Sequence, residues 1–478
     1  MNEQPLRDPL AFDADELYLR TGRRVGALRV EGQPVEHLEV ALASATAGAG
    51  DVEPQAVVAI QHEHSVPAAS ELILRNGLAD DHADKRSLPR MNRDRFPGLR
   101  DGWARLDGPA GTQMLDTAIE ATAEFSRSGR NANHGGLFAA AQATDATVAE
   151  ARETAGGLLG ADPRGVVFGP SMTALTMRFA AAVGRTLAPG DEIVCTRLDH
   201  DANVRPWVIA AARAEATVRF AEPDRDTLEL PVEAVEAQLG ERTRWVAVAA
   251  ASNAVGTVPD IRSMANVAHD AGARIFVDAV HAAPHRPLSL QGIAADVLAC
   301  SAYKWFGPHV GILAADPALL EELHPDKLVP SPDGVPDRWE LGTLPFEALA
   351  AAAEAARYVA GLGWDAVRAH EDVLLRRALD GLGELDGVRL YGAARDRTPT
   401  LMFNVDGQTS TQTATALAER QVAVWHGNYY AWELERFLGL DPDGAVRAGF
   451  VHYNDESDAD RLVQAVAELV NLPARSAG

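Results

Sequence analysis

The stretch Ala299-Cys300-Ser301-Ala302-Tyr303-Lys304-Trp305-Phe306-Gly307-Pro308 ends an apolar run with a lysine set between aromatic residues, just before a Gly-Pro breaker. Lysine is among the residues least often buried unless something pairs with it or reacts with it. Lys304 is therefore either a surface charge at a strand end or a nucleophile.

Four other places carry comparable chemistry. RGVVFGPSMTALT closes a strand at Gly169-Pro170 and opens a helix with Ser171, Met172 and Thr173, whose unpaired N–H groups and hydroxyls can cap the helix or bind a phosphate. ARIFVDAVHAAPH ends a strand in Asp278 with His281 three residues on; the aspartate can be a metal ligand, a helix cap or the partner of a cationic ring. CTRLDHDANVRPW sets His200 among Asp199, Asp201 and Asn203, as a structural residue or a functional one. AVAAASNAVGTVPD places Asn253 before a glycine turn.

These residues need a scaffold that brings strand ends together. From about residue 160, short Val/Ile/Ala runs (RGVVFG, EIVCTRL, TVRFAEP, TRWVAVAAAS, ARIFVDAV, DVLACS) alternate with amphipathic helical runs, the signature of an α/β domain with a mostly parallel sheet covered on both faces. In such sheets ligands sit at the carboxyl ends of the strands. FEALAAAAEAARYVAGLG predicts a helix leading away from this domain, and the remainder mixes helices (QTATALAER, SDADRLVQAVAELV) with strands (TPTLMFNVD, AVRAGFVHY), a smaller α+β part. The division expected is an N-terminal extension with linker of unassigned role (1–92), a large domain with an N-terminal arm (93–361) and a C-terminal small domain (362–478).

One cofactor explains the five places together. In pyridoxal phosphate chemistry a helix N-terminus takes the phosphate, an aspartate keeps the pyridine nitrogen protonated, an imidazole stacks on the ring and a lysine forms the Schiff base. The chain moreover resembles the class V aminotransferases of fold type I, in the cysteine desulfurase-like subgroup, over roughly residues 93 to 472. SNAVGT resembles that family's Asn-x-x-Gly loop, VDAVHAAPH its strand-end aspartate segment, and SAYKWFGPHVG its Ser-x-x-Lys-x-x-Gly-Pro segment. RLDGPAGTQM, NANHGGLFAAAQATD, VVFGPSMTALT and AVRAGFVHYN are similar as well. The fold implied is a large domain with a mostly parallel seven-stranded sheet plus a smaller α+β domain.

The resemblance implies that Lys304 is the Schiff-base lysine, Asp278 pairs with the pyridine nitrogen and His200 stacks on the ring, with Asn253 and His281 near the phenolic oxygen. Ser171, Met172 through its backbone, Thr173 and Ser301 would hold the phosphate, with Tyr303 beside it. Gly342-Thr343 would reach the phosphate of a neighbouring subunit, which implies a homodimer. Arg447 would grip a substrate carboxylate, as a guanidinium can by two parallel hydrogen bonds; otherwise it is a surface arginine of a strand. Asn131, Asn133 and Asn454 are further pocket candidates.

The departures matter as much. A cysteine desulfurase needs a mobile cysteine to carry the persulfide, and the corresponding loop here reads VWHGNYYAWE, with Tyr430 near the cysteine's place. The chain's two cysteines, Cys195 and Cys300, lie in strand-like runs and read as buried structural thiols. His281 replaces a glutamine and Tyr303 a histidine. The resemblance then implies an enzyme acting on an amino acid, with a β-lyase expected first and a transaminase or epimerase as the alternative. A non-catalytic partner-binding protein is the rival from another class.

Bulk properties narrow the field. With 478 residues, 47% hydrophobic and 23% charged, the chain is long enough for two or three domains of ordinary globular composition. A net charge of −24 with no basic run argues against nucleic-acid binding. No apolar stretch approaches the roughly 20 residues a membrane helix needs, and the first residues lack a signal-peptide core, so a cytoplasmic location is expected. His62 and His64 form the one metal-like pair, without further ligands at a recognisable spacing, and no metal site is expected.

Overall fold

The computed structural model describes residues 93–470. The N-terminal extension, with its two strand-like runs and the His62/His64 pair, lies outside the described residues.

Seven strands form the main sheet: β1 (Val166–Gly169), β2 (Glu192–Thr196), β3 (Thr217–Ala221), β4 (Thr243–Ala249), β5 (Arg274–Asp278), β6 (Val297–Ser301) and β7 (Gly311–Ala315). Their order is β1-β7-β6-β5-β4-β2-β3. The five from β6 to β3 are parallel, and β7 runs antiparallel to both β1 and β6. The mostly parallel sheet expected from the sequence is thus present with one reversed strand.

Alternation along each strand divides the core. Val166, Phe168, Val194, Val246, Val248, Ile275, Val277 and Leu298 face one way, against helices α1 (Asp116–Arg127), α2 (Ala139–Leu159), α5 (Ile261–Asp270) and α6 (Phe346–Ala360). Val167, Ile193, Ala247, Phe276, Val297 and Leu313 face the other way, against α3 (Met172–Gly184) and α4 (Arg205–Arg213). A strand buried on both faces reads as a continuous apolar run because both neighbours in sequence need to be apolar.

A second, antiparallel sheet follows, made of β8 (Val388–Tyr391), β9 (Thr400–Val405), β10 (Trp425–Gly427) and β11 (Ala445–Gly449) in the order β10-β11-β9-β8. Leu401, Phe403, Val446 and Ala448 pack on α7 (Trp364–Gly383), α8 (Ser410–Ala418) and α10 (Glu456–Val470). The short α9 (Trp432–Leu438) precedes β11. Met402 and Ala445, on the opposite face of the same strands, join the main core. That contact sets β11 and the loop before α9 beside the carboxyl ends of β2 and β4, where the strand order of the parallel sheet reverses.

Candidate active site

The cavity at those carboxyl ends is lined by Ser171, Met172, Thr173, His200, Asn253, Asp278, His281, Ser301, Tyr303 and Lys304, all named from the sequence, and by Ala202, Ala249, Ala251 and Val280. They come from the turns that follow β1, β2, β4, β5 and β6. β5 ends in Asp278, which pairs in register with Ala299 of β6. β6 then runs into a turn of 3-10 helix, Ala302–Lys304, that swings the lysine to the same edge of the sheet.

Lys304 is buried at 8% exposure. Its Nζ donates to the carbonyl of Pro109, in the N-terminal arm, and Trp305 and Phe306 beside it are fully covered. Burial first, and then the Arg447 guanidinium, push the Lys304 pKa down to about 7, against the pull of Asp278 in the other direction. Asp278 accepts the Val280 N–H on Oδ1 at 2.9 Å. Its burial raises its pKa to about 6, with the Val280 hydrogen bond and Lys304 opposing.

At the N-terminus of α3, Ser171 caps the helix by accepting the Ala174 N–H at 3.2 Å. The Met172 N–H is already donated to Ser301 Oγ at 3.0 Å, so the backbone group expected to meet a phosphate instead organises the serine hydroxyl beside it. Thr173 is exposed. The helix reaches this place because β7 passes against its first turn at Gly311, where a Cβ would lie 2.2 Å from the Ser171 carbonyl carbon.

His200 follows β2, and its Nδ1 accepts the Ala202 N–H at 3.0 Å. That bond fixes the neutral ring with its proton on Nε2. Burial, then Lys304 and Arg447, hold its pKa down to about 3. Asn253 donates from Nδ2 to the Tyr429 carbonyl at 3.0 Å, while its buried Oδ1 has no partner. His281 Nε2 lies 3.1 Å from Thr398 Oγ1 and 2.9 Å from Thr400 Oγ1, and burial keeps its pKa well below the usual imidazole range.

Arg447, on β11, stands behind this group rather than on the surface. It is 3% exposed, donates to the Asn253 carbonyl at 2.9 Å and lies 4.5 Å over the Tyr429 ring, with its Nε unpartnered. Other candidates are not brought to the cavity. Asn454 is spent on the chain itself: Oδ1 accepts from Val451 N–H, and Nδ2 donates to the Arg105 carbonyl and to Asp458. These bonds make it a clasp between the N-terminal arm and α10. Asn131 and Asn133 are exposed, and so are Gly342 and Thr343, and none of the four is among the lining residues.

Sequence reading missed the Pro109 carbonyl, Thr398, Thr400 and Tyr429. The Thr-Pro-Thr triplet ahead of β9 and the Gly-Pro-Ala-Gly turn of the arm were the available local signals.

Comparison with known proteins agrees with this geometry. A family model described as Aminotransferase class-V matches residues 104–462. The uncharacterized protein MT3887 of Mycobacterium tuberculosis (strain CDC 1551 / Oshkosh) is 33% identical, over 78% of this chain and 97% of its own. A probable cysteine desulfurase of Halobacterium salinarum is 32% identical, over 82% and 97%. The solved structure of the cysteine desulfurase CsdA (S-sulfonic acid) of Escherichia coli superposes with a TM-score of 0.71 at 30% identity, covering 79% of this chain and 96% of that one.

Proposed function

The chain belongs to the aminotransferase class-V family and is a pyridoxal 5'-phosphate enzyme, and from that membership we propose a β-lyase that cleaves the Cβ–S bond of a cysteine-like amino acid. The residues fit the cofactor. A capped helix N-terminus with two hydroxyls suits a phosphate, a half-neutral buried lysine suits an aldehyde, and a buried aspartate suits a ring nitrogen. The unpartnered Asn253 Oδ1 asks for a polar group of a ligand. When bound, the cofactor supplies an electron sink for the bond at the substrate Cα.

The chain's own residues then have distinct tasks. Lys304 would hold the cofactor through Nζ, and the same amine, whose pKa burial brings down to about 7, would take the Cα proton. Asp278 would keep the ring nitrogen protonated, and the neutral His200 would stack on the ring. Ser171, Thr173 and Ser301 would hold the phosphate, with Tyr303 beside it. Arg447 takes the substrate carboxylate, its low-dielectric surroundings strengthening that pair. In the overall reaction the Cβ–S bond breaks, the sulfur leaves as a thiol with a proton, and water converts the remaining fragment to a keto acid and ammonia.

The observation that carries the lyase reading is where the thiols lie. The chain has two cysteines, both fully buried inside β2 and β6, and burial pushes Cys300 up to about 12. A persulfide-carrying cysteine has no candidate, so sulfur leaves the site as a free product. Unpaired cysteines also support a reducing compartment, the cytoplasm. We assign residues 93–361 to the cofactor-binding domain and 362–478 to the small domain, in a homodimer whose second copy offers Gly342-Thr343.

The test is incubation of the purified protein with pyridoxal phosphate and a panel of β-substituted amino acids. The bound cofactor is expected to give an ultraviolet–visible band that Lys304→Ala loses, and keto acid and thiol are expected without any added amino-group acceptor. Keto acid that forms only with such an acceptor identifies a transaminase instead, and a change of optical rotation without keto acid identifies an epimerase.

A further inference from the structure

Two successive residues of the loop between β10 and α9, Tyr429 and Tyr430, hold left-handed backbone, at φ +37° and +61°. Glycine or asparagine takes that region readily, whereas a bulky side chain is a genuine outlier there. Such strain persists where the surroundings over-determine it, and it concentrates at functional sites. Here the surroundings are the site itself. Asp201 N–H donates to the Tyr430 carbonyl at 2.7 Å, Asn253 Nδ2 to the Tyr429 carbonyl at 3.0 Å, and Tyr430 N–H to Asn428 Oδ1 at 3.0 Å.

The two rings reach two different site residues. Tyr430 stacks on His200, ring centres 5.3 Å apart and planes within 25°. Tyr429 lies beneath the Arg447 guanidinium at 4.5 Å. The His200 ring is held at its edge by Ala202 N–H and on one flat face by Tyr430. Tyr430 does not line the cavity that His200 lines, so the opposite face of the imidazole remains for a ligand. Tyr430 is itself 69% exposed, so its burial contributes little to stability.

We propose that the Tyr429-Tyr430 pair is the positioning element of this active site: Tyr430 holds the His200 imidazole flat for the cofactor ring, and Tyr429 holds the Arg447 guanidinium for the substrate carboxylate. The proposal rests on the cofactor reading given above. The loop that would have to swing to carry sulfur is instead pinned to Asp201, Asn253 and Arg447, and rigidity replaces travel.

Four full-length variants loaded with cofactor test it: Tyr430→Phe, Tyr430→Ala, Tyr430→Gly and Tyr429→Leu. The readouts are the induced circular dichroism of the bound cofactor, its dissociation constant, Tm, kcat and KM. Glycine suits φ +61° without strain, so Tyr430→Gly is expected to keep or raise Tm. It is also expected to lose most of the induced dichroism and about tenfold in kcat, with KM little changed. Tyr430→Ala should do the same to dichroism and kcat, and Tyr430→Phe should restore both. Tyr429→Leu should raise KM about tenfold and leave the dichroism intact. A Tyr430→Gly protein with wild-type dichroism and kcat overturns the proposal, as does a Tyr430→Phe protein as impaired as Tyr430→Ala. A wild type that gains no cofactor band overturns the cofactor reading and this proposal with it.

Discussion

At the scale of single residues, the reactivity of Lys304 is set by three environments with different signs. Burial and the Arg447 cation favour the neutral amine, and Asp278 favours the ammonium. Only the neutral amine attacks an aldehyde, so capture of pyridoxal phosphate by the cofactor-free protein should accelerate as pH rises to about 7 and level off above it. Arg447→Met removes a depressing charge and should move the midpoint to higher pH; Asp278→Asn removes a raising one and should move it lower. Stopped-flow absorbance across a pH series measures both, and midpoints unmoved by either substitution would contradict this account of the lysine. Asp278→Asn should also keep the lysine-linked band while turnover falls by about 10²-fold or more, because the ring nitrogen loses its proton partner.

Between elements, the site depends on contacts that no local pattern announces. Gly311 lets β7 slide against the first turn of α3, with its hypothetical Cβ 2.5 Å from the Ser171 carbonyl oxygen and 2.6 Å from Met172 N. Backbone cannot yield as a side-chain end can. Gly311→Ala should therefore displace the helix N-terminus and raise the cofactor dissociation constant, seen by equilibrium dialysis, beyond what the loss of Tm alone explains. His285, after β5, hydrogen-bonds through Nδ1 to Glu371 of α7 at 2.9 Å, both side chains 3% exposed. Glu371→Leu leaves a buried imidazole unpaired and should cost about 2–4 kcal/mol in urea unfolding. The double variant with His285→Leu should recover much of that, as apolar replacement of both partners often does. These contacts explain which parts were legible. β1, β2 and β4 to β6 and the residues at their ends could be read because burial on both faces demands apolar runs that stop at a polar residue, and the edge strand β3 by its alternation of exposed Thr217 and Arg219 with Val218 and Phe220. β7, a Gly-Ile-Leu-Ala-Ala run after the Gly-Pro breaker, carries no sign of its reversed direction. β8 and β10 are short, and half-buried or exposed, with only a weak pattern. Asn454 resembles a pocket residue because its segment does, while its amide is shared between nearby Val451 and Asp458 and the distant Arg105 carbonyl, and the left-handed tyrosines depend on the distant anchors Asp201 and Asn253 as well as on Asn428.

Over the whole molecule, a net charge of −24 disfavours close approach of two copies except where apolar surface overrides it. Leu137 is 97% exposed, Phe138 58% and Leu341 64%, and the two segments lie together, with the His134 ring 5.7 Å from Phe346. Gly342 and Thr343 are exposed beside them, with open space around Gly342. Exposed apolar groups of this kind mark association surfaces, and in the homodimer proposed above each copy's Thr343 is expected at the other's cavity. The protein should sediment as a dimer, and Leu137→Asp with Phe138→Asp should yield monomers that bind cofactor poorly. Sharing of the site is testable without a structure of the dimer. Thr343→Asp sets a carboxylate where a partner's phosphate is expected, and Lys304→Ala removes the nucleophile, so each variant alone should be inactive. In a mixed dimer one site inherits both defects and the other inherits neither. Unfolding and refolding an equimolar mixture should then recover about one quarter of wild-type turnover, the statistical share of intact sites in randomly formed two-fold pairs. Activity no higher than that of the separate variants would place Thr343 outside the partner's site, because a residue acting within its own copy leaves every site in the mixture defective.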